Sequence, residues 1–195
     1  MNFPDSSLVD ADLSALRTRL AQRAEESGLL DIAYRTVDSP VGTLLLASTT
    51  AGLIRVAYEQ EGLEAVLQSL SAKVSPRILS APRRLDPAAI QLDEYFARRR
   101  QRFDLPVDLS LATGFRRQVL SYLPSISYGQ TASYARVAAA LDNPNAVRAV
   151  GSACATNPLP LVIPCHRVVR SDGQAGEYIG GPNTKRRLLD LEAAA

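Results

Sequence analysis

Two adjacent side chains carry the most reactive chemistry in this sequence. Cys165 and His166 sit in the run Ile163-Pro164-Cys165-His166-Arg167-Val168-Val169; the histidine is the only one in the chain and the cysteine is one of two. Sulfur attacks as the thiolate, and a free cysteine loses its proton only near about pH 8.5, so a base must raise the reactive fraction at neutral pH. An imidazole can be that base. Neighbours in sequence need not have side chains that meet, and cysteine is commonly a small buried hydrophobe, so the use of the pair depends on the elements around it.

Composition narrows the setting. The 195 residues suffice for one large domain or two small ones, and the 46% hydrophobic and 22% charged content suits a soluble globular chain. No apolar run reaches the ~18 residues of a membrane helix, and Met1-Asn2-Phe3-Pro4-Asp5 lacks the basic-then-apolar order of a secretory leader. Two cysteines make no disulfide framework, so a cytoplasmic location with reduced thiols is expected. The net charge of +2 hides an asymmetry. Residues 1–108 carry 13 Lys and Arg against 15 Asp and Glu, whereas residues 109–195 carry 9 against 5. The basic part holds Cys165, and its weakly positive field suits a polyanionic partner.

Residues 1–30 read as a helical extension. Leu13, Leu16, Leu20 and Ala24 recur at helical spacing, Asp12 or Ser14 is placed to cap the start and Gly28 to end it, and the extension is expected to dock on the chain's own domain. Residues 31–108 read as an α/β unit. Ile32, Tyr34 and Thr36, then residues 43–47, then Leu53–Tyr58 form short strands between the turn signals Asp38-Ser39-Pro40-Val41-Gly42 and Ala51-Gly52, which gives an antiparallel meander. Leu63–Lys73 is amphipathic at helical spacing. Asp86 is expected as N-cap, with Pro87 at the first position of a helix that runs to about Arg100 and buries Ile90, Leu92, Tyr95 and Phe96. Arg98, Arg99, Arg100 and Arg102 read as a solvated helix end, where cations complement the dipole. Residues 103–110, extended around Pro106, read as the link to the next domain.

Residues 109–195 read as mainly helical. Thr113 is expected to cap a helix over residues 114–123, with Phe115, Val119 and Tyr122 facing inward. Ser133 can cap a helix carrying Val137, Ala138 and Leu141. Asp142-Asn143-Pro144-Asn145 is a turn, with Pro144 near the first turn of a second helix over residues 146–154. Two short helices across a tight turn make a helix-turn-helix. The second presents Ala146, Val147, Ala149 and Gly151 around a single arginine, Arg148. Sequence-specific readout needs several long polar side chains. Small residues instead let a backbone approach DNA closely without reading it, which fits the minor groove. Residues 184–189 read as a last helix, with Lys185, Arg186 and Arg187 solvated or near phosphate.

With Asn157-Pro158 before it and Gly176-Glu177-Tyr178-Ile179-Gly180-Gly181 after it, the Pro-Cys-His-Arg-Val run resembles the active-site signature of the O6-alkylguanine-DNA alkyltransferases, single-use DNA repair proteins. The resemblance covers roughly residues 31–192 and is strongest from Thr113 onward. It implies a ribonuclease-H-like α/β domain over residues 31–108, with Ser39-Pro40-Val41-Gly42 at its first hairpin, and a helix-turn-helix DNA-binding and active-site domain over residues 109–195. It also implies direct reversal of damage: one irreversible transfer of an alkyl group from O6-alkylguanine, or O4-alkylthymine, in double-stranded DNA to Cys165. The damaged nucleotide must first be flipped out of the stack.

The same resemblance distributes the roles. Cys165 is the acceptor, His166 the base acting through a water, and Glu192, in Leu188-Leu189-Asp190-Leu191-Glu192, the residue that orients the imidazole. Tyr134 rotates the 3′ phosphate and bonds the flipped guanine, and Asn157 braces the turn leading to Cys165. Arg148 fills the gap left by the flipped base, and Ala146, Val147, Ala149, Gly151 and Ser171 touch DNA. Cys154, Val168, Tyr178 and Ile179 form the base pocket, with the Cys165 and Val168 carbonyls accepting from the guanine amino group. Cys154 stands where relatives often carry a larger apolar residue, which implies tolerance of alkyl groups larger than methyl. Ile179 departs from the smaller or polar residue common there, and the usual Trp near Leu120 is absent. The zinc that some relatives bind needs Cys and His in the N-terminal domain; this chain has neither before Cys154, so no metal or cofactor is expected, and no membrane partner. A monomer on DNA is expected.

Three rival readings predict different residues or behaviour. A lesion-flagging protein without transfer activity carries another residue in place of Cys165. A helix-turn-helix regulator needs a more polar second helix. A Cys-His-Glu hydrolase would turn over repeatedly.

Overall fold

The computed structural model describes residues 6–193, with side chains from residue 15 onward. Strand β2 (Leu44–Ser48) is buried at every position. A strand covered on both faces reads as a continuous apolar run, and Leu44-Leu45-Leu46-Ala47 is one. It pairs antiparallel with β1 (Ile32–Val37) and with β3 (Leu53–Tyr58), the meander read from the sequence. On one face Leu45 and Ala47 pack with Ile32, Ile54 and Ala57 beneath Val66 and Leu70 of α2 (Leu63–Lys73). On the other, Leu44, Leu46, Val56 and Tyr58 join a core that continues through α3 (Asp86–Phe96) into the C-terminal helices.

The sheet is mixed rather than purely antiparallel. A fourth strand, β4 (Ile78–Ser80), lies parallel to β1, giving the order β3-β2-β1-β4. Its three residues are too few to show a period in the sequence.

The N-terminal helix α1 (Ser6–Glu26) already runs at Ser6, so Asp12 and Ser14 fall inside it rather than at its cap; their side chains and that of Leu13 lie outside the described residues. Its C-terminus closes as a Schellman turn, with Gly28 at φ 64° and Leu29 N donating to Ala24 O. Docking uses Ala21 and Ala24, not Leu16 and Leu20 of the stripe. Ala21 is buried near Ala81 and Arg84, while Leu16 is 58% exposed and Leu20 57%. The small side chains at 21 and 24 permit close approach to the turn at Pro82–Leu85 and leave the leucines outside.

Helix α3 begins at Asp86 after that 3₁₀ turn, so Leu85 rather than Asp86 is the N-cap, and the helix stops at Phe96 rather than Arg100. Arg98 ends it in the left-handed region at φ 59°. Leu92 and Tyr95 are buried, Phe96 is half-buried, and Ile90 is 57% exposed, because its turn of the helix faces solvent. The arginine run is partly tied to the helix itself: Arg99 pairs with Asp93 and Arg100 with Glu94. Residues 103–110 do more than link. Leu53 N donates to Pro106 O, Asp108 N donates to Leu53 O, and Thr49 Oγ1 donates to Asp108, so the segment is stitched along β3.

The C-terminal part comprises α4 (Gly114–Tyr122), β5 (Ala132–Ser133), α5 (Tyr134–Ala140), α6 (Val147–Ala155), β6 (Val168–Val169) and α7 (Gly181–Ala193). Ser133 caps α5, its hydroxyl accepting from Arg136 N at 3.1 Å. Thr113 is the N-cap of α4 by backbone alone, without a side-chain bond. Pro144 lies in the turn ahead of α6, whose N-cap is Ala146. β5 and β6 pair in parallel, Ala132 with Val168 and Ser133 with Val169, which brings the start of α5 beside the segment that follows Cys165.

The stitch at residue 52 is testable. Gly52 sits at φ 140°, and a Cβ there would stand 2.3 Å from Pro106 O. Gly52→Ala is expected to cost ~2 kcal/mol or more through backbone strain and displacement of residues 106–107, read as a lowered urea midpoint; an unchanged midpoint would refute the account.

Candidate active site

Cys165 opens a short 3₁₀ turn, Cys165–Arg167, directly before β6. The approach to it is a tight loop in which Leu161, buried, holds a left-handed φ of 74°. Such a conformation costs a non-glycine residue on the order of 1–2 kcal/mol unless its surroundings enforce it. Asn157 does so. Its Oδ1 accepts from Leu159 N at 3.0 Å and its Nδ2 donates to Ile163 O at 2.9 Å. The same Nδ2 lies 3.1 Å from Cys165 Sγ. The residue expected to brace the turn therefore also donates to the sulfur.

The thiol is 1% exposed. Burial pushes its pKa up, to about 11, against the Asn157 bond and the positive Lys185, which favour the thiolate. The sequence reading places Lys185 in solvent or near phosphate. It is instead fully buried, with Nζ donating to Val168 O at 2.6 Å and lying 5.8 Å from the Tyr134 ring centroid. Its helical register on α7 turns it inward under β6. The Val168 carbonyl, expected to receive a guanine amino group, already accepts this bond and has one lone pair left.

His166 turns away from solvent toward Glu192, its Nε2 2.8 Å from Oε1. A carboxylate accepts only, so Nε2 carries the proton and Nδ1 the free lone pair. Nδ1 is buried and has no hydrogen-bond partner. Burial lowers the imidazole pKa against the raising effect of Glu192, which keeps the ring neutral and able to take a proton. Glu192 lies near the end of α7 yet is buried, and five donors converge on it. Oε1 accepts from Tyr95 Oη (2.7 Å), His166 Nε2 and Arg167 Nη2 (3.0 Å); Oε2 accepts from Arg167 Nε (2.9 Å) and Gly129 N (3.2 Å). Burial alone would raise this carboxyl, but the bonds from His166 and Arg167 outweigh it and hold it at about 2.

Tyr95 and Arg167 are the members the sequence reading missed. Tyr95 comes from α3, far away in sequence, and appears there only as one apolar position of a helix. Arg167 lies inside the motif, but nothing in its spacing says that it faces Glu192, with Nη1 on Ile126 O at 2.6 Å.

Tyr134, at the first position of α5, is half-buried, and burial pushes its pKa up to about 12. Gly176 passes so close that a Cβ there would meet Tyr134 Oη at 2.6 Å. Cys154, buried near the end of α6, is near enough for a Cys165 thiolate to raise its pKa, after the larger effect of burial. Tyr178 is buried and Ile179 half-buried on the loop before α7. On α6, Val147, Arg148 and Ala149 are exposed, Gly151 is half-exposed, and Val150, Ala153 and Cys154 face the core. Ala146 is half-buried at the helix start, and Ser171 is exposed in the loop after β6. Asn157 thus bonds the Cys165 sulfur and Glu192 the His166 ring, while the residues named for DNA contact lie mostly on an outer face.

Residues 32–109 match the family model described as the 6-O-methylguanine DNA methyltransferase ribonuclease-like domain, and residues 114–194 the model of its DNA-binding domain. The chain belongs to the 6-O-methylguanine DNA methyltransferase family. Among curated relatives, the methylated-DNA–protein-cysteine methyltransferase of Mycobacterium tuberculosis H37Rv is 38% identical over 161 residues, covering 83% of this chain and 92% of that protein. The constitutive methyltransferase of Bacillus subtilis is 36% identical over 163 residues, covering 82% and 94%. The crystal structure of the Mycobacterium tuberculosis O6-methylguanine methyltransferase superposes with a TM-score of 0.74 at 36% identity, covering 84% of this chain and 93% of that one. The same organism's protein in complex with DNA gives 0.73, covering 83% and 93%.

Two pH dependences follow from the site. Carbamidomethylation of Cys165 by iodoacetamide should rise about tenfold per pH unit from about pH 8 and level off near about pH 11; peptide mapping that shows a plateau by about pH 8.5 would contradict the buried-thiol account. Glu192, depressed from 4.5 to about 2, contributes stability that is fully present above about pH 4.5 and lost as pH falls toward 2. Urea unfolding should show a steeper acid loss in the wild type than in Glu192→Gln; equal slopes would mean that Glu192 is not held this way.

Proposed function

We propose that the protein repairs DNA by direct reversal, taking the alkyl group of O6-alkylguanine, or of O4-alkylthymine, onto Cys165 once and irreversibly. The observation that carries this is a buried sulfur that takes a hydrogen bond from Asn157 and is followed in the chain by a neutral imidazole oriented by an ionised carboxylate. That is the nucleophile, base and orienter set of a triad.

In the step, the Cys165 proton passes to His166 Nδ1 through a water. Sγ forms a bond to the alkyl carbon as the carbon–O6 bond breaks. Tyr134, kept protonated by burial, donates to the departing guanine and regains a proton from His166. Glu192 stabilises the imidazolium in between, and its own charge persists because Arg167 stays bonded to it.

The exposed small residues of α6 support a minor-groove approach, with Arg148 filling the gap of the flipped nucleotide, Ala146, Val147, Ala149 and Gly151 against the backbone, and Ser171 at the edge. Tyr178, Ile179, Cys154 and Val168 wall the flipped base, and the small Cys154 leaves room for groups larger than methyl. One copy supplies every group named, which supports action as a monomer. A free acceptor thiol suits a reducing cytoplasm. Within the described residues no helix is long and apolar enough to cross a membrane.

Intact mass after mixing with duplex DNA carrying one O6-methylguanine decides the matter. The expected result is one added methyl, mapped to Cys165, with the DNA restored and no second turnover; Cys165→Ser should bind the duplex and gain no mass. Binding without a mass change in the wild type would favour a lesion-flagging protein, and repeated turnover of an ester would favour a hydrolase.

A further inference from the structure

The end of β3 and the 3₁₀ turn Glu59–Glu61 that follows it reach from the sheet to the loops around the site. Val56 N and Arg55 Nη1 donate to Pro158 O at 2.9 and 3.2 Å, beside Asn157. The Tyr58 and Tyr178 hydroxyls bond each other at 2.9 Å, and Gln60 Nε2 donates to Ile179 O at 2.8 Å. The Tyr58 and Tyr178 rings meet edge to face at 5.9 Å, and Tyr178 meets His166 the same way at 6.3 Å. Gly180 is closely packed against the two phenols: a Cβ there would stand 2.7 Å from Tyr58 and 3.0 Å from Tyr178. Tyr58 is itself anchored, its N–H donating to Glu61 Oε1 at 2.8 Å while Glu61 also holds Arg55.

We infer that Tyr58 and Gln60 are positioning residues: they fix the Tyr178–Ile179 wall of the nucleotide pocket from the end of β3 and the turn after it, and so set the size of alkyl group it accepts. This rests on the alkyl-transfer reading. Two consecutive wall residues each take one bond from the sheet, one through a side chain and one through the backbone. Removing the Tyr58 hydroxyl leaves that of Tyr178 buried and unpaired, a state that costs more than the bond was worth. The wall then moves until the phenol finds water, and the pocket it bounds widens and loses its fixed geometry.

The test compares wild type with Tyr58→Phe, which keeps the packing ring, and with Gln60→Ala and Gln60→Glu. Single-turnover transfer is measured at saturating duplex carrying O6-methylguanine or O6-benzylguanine, together with hydrogen exchange of the amides of residues 179–181 in the free protein. Loss of one bond should speed that exchange by about 3- to 10-fold. It should slow methyl transfer by a similar factor, leave DNA affinity unchanged and raise the benzyl-to-methyl ratio. Gln60→Glu, which sets a carboxylate against the Ile179 carbonyl, should exceed Gln60→Ala. Unchanged exchange overturns the brace, and so does an equal slowing of both substrates that merely tracks a lower Tm. If the wild type transfers neither group, size selection falls with the alkyl-transfer reading, while exchange alone still decides whether the sheet holds the wall.

Discussion

A buried carboxylate at the end of the last helix holds the site together. Glu192 would be costly in the core without partners, and its five donors come from α3, from the loop after α4, and from the turn that begins with Cys165. The energy that would be lost by separating any of them ties α3, the loop after α4, the Cys165 turn and the last helix into one geometry. The imidazole takes its tautomer and orientation from this contact. Burial keeps the histidine neutral, and Arg167, matching the carboxylate bidentately, holds Glu192 ionised without a protonated ring beside it; a protonated histidine could not serve as a base.

The thiol shows the opposing pressure. A sulfur hidden from water is a poor thiolate, and burial outweighs the help of Asn157 and Lys185 in the resting protein. Reactivity therefore depends on the base and on what enters the pocket, not on a permanently ionised cysteine. A resting thiol of this kind is protected from small oxidants and alkylators while it waits.

Much of this was legible in the sequence. The meander, α2, the helix-turn-helix and the residues around Cys165 follow from apolar period, turn residues and a dense local motif, because those signals are local. What failed was long-range. β4 is too short to show a period, and Ile90 and Leu16 and Leu20 of α1 face outward because the partner surfaces chose other faces of regular helices. Lys185 was misplaced because a lysine near a chain end defaults to solvent, and only the register of α7 turns it under β6. Tyr95, Tyr58 and Gln60 act across more than seventy residues of sequence, and no spacing rule reaches that far.

The depth of Cys165 has a further consequence. A side chain that is 1% exposed is enclosed by protein on nearly every side, and close-packed interiors resist even one added carbon, at a cost of typically 1–3 kcal/mol. Any group left on that sulfur becomes extra volume in the joint between the Asn157 loop, the last helix and the Tyr178 wall. On the alkyl-transfer reading, the chemical record of one event would thereby become a mechanical one, a spent molecule less tightly packed than a fresh one.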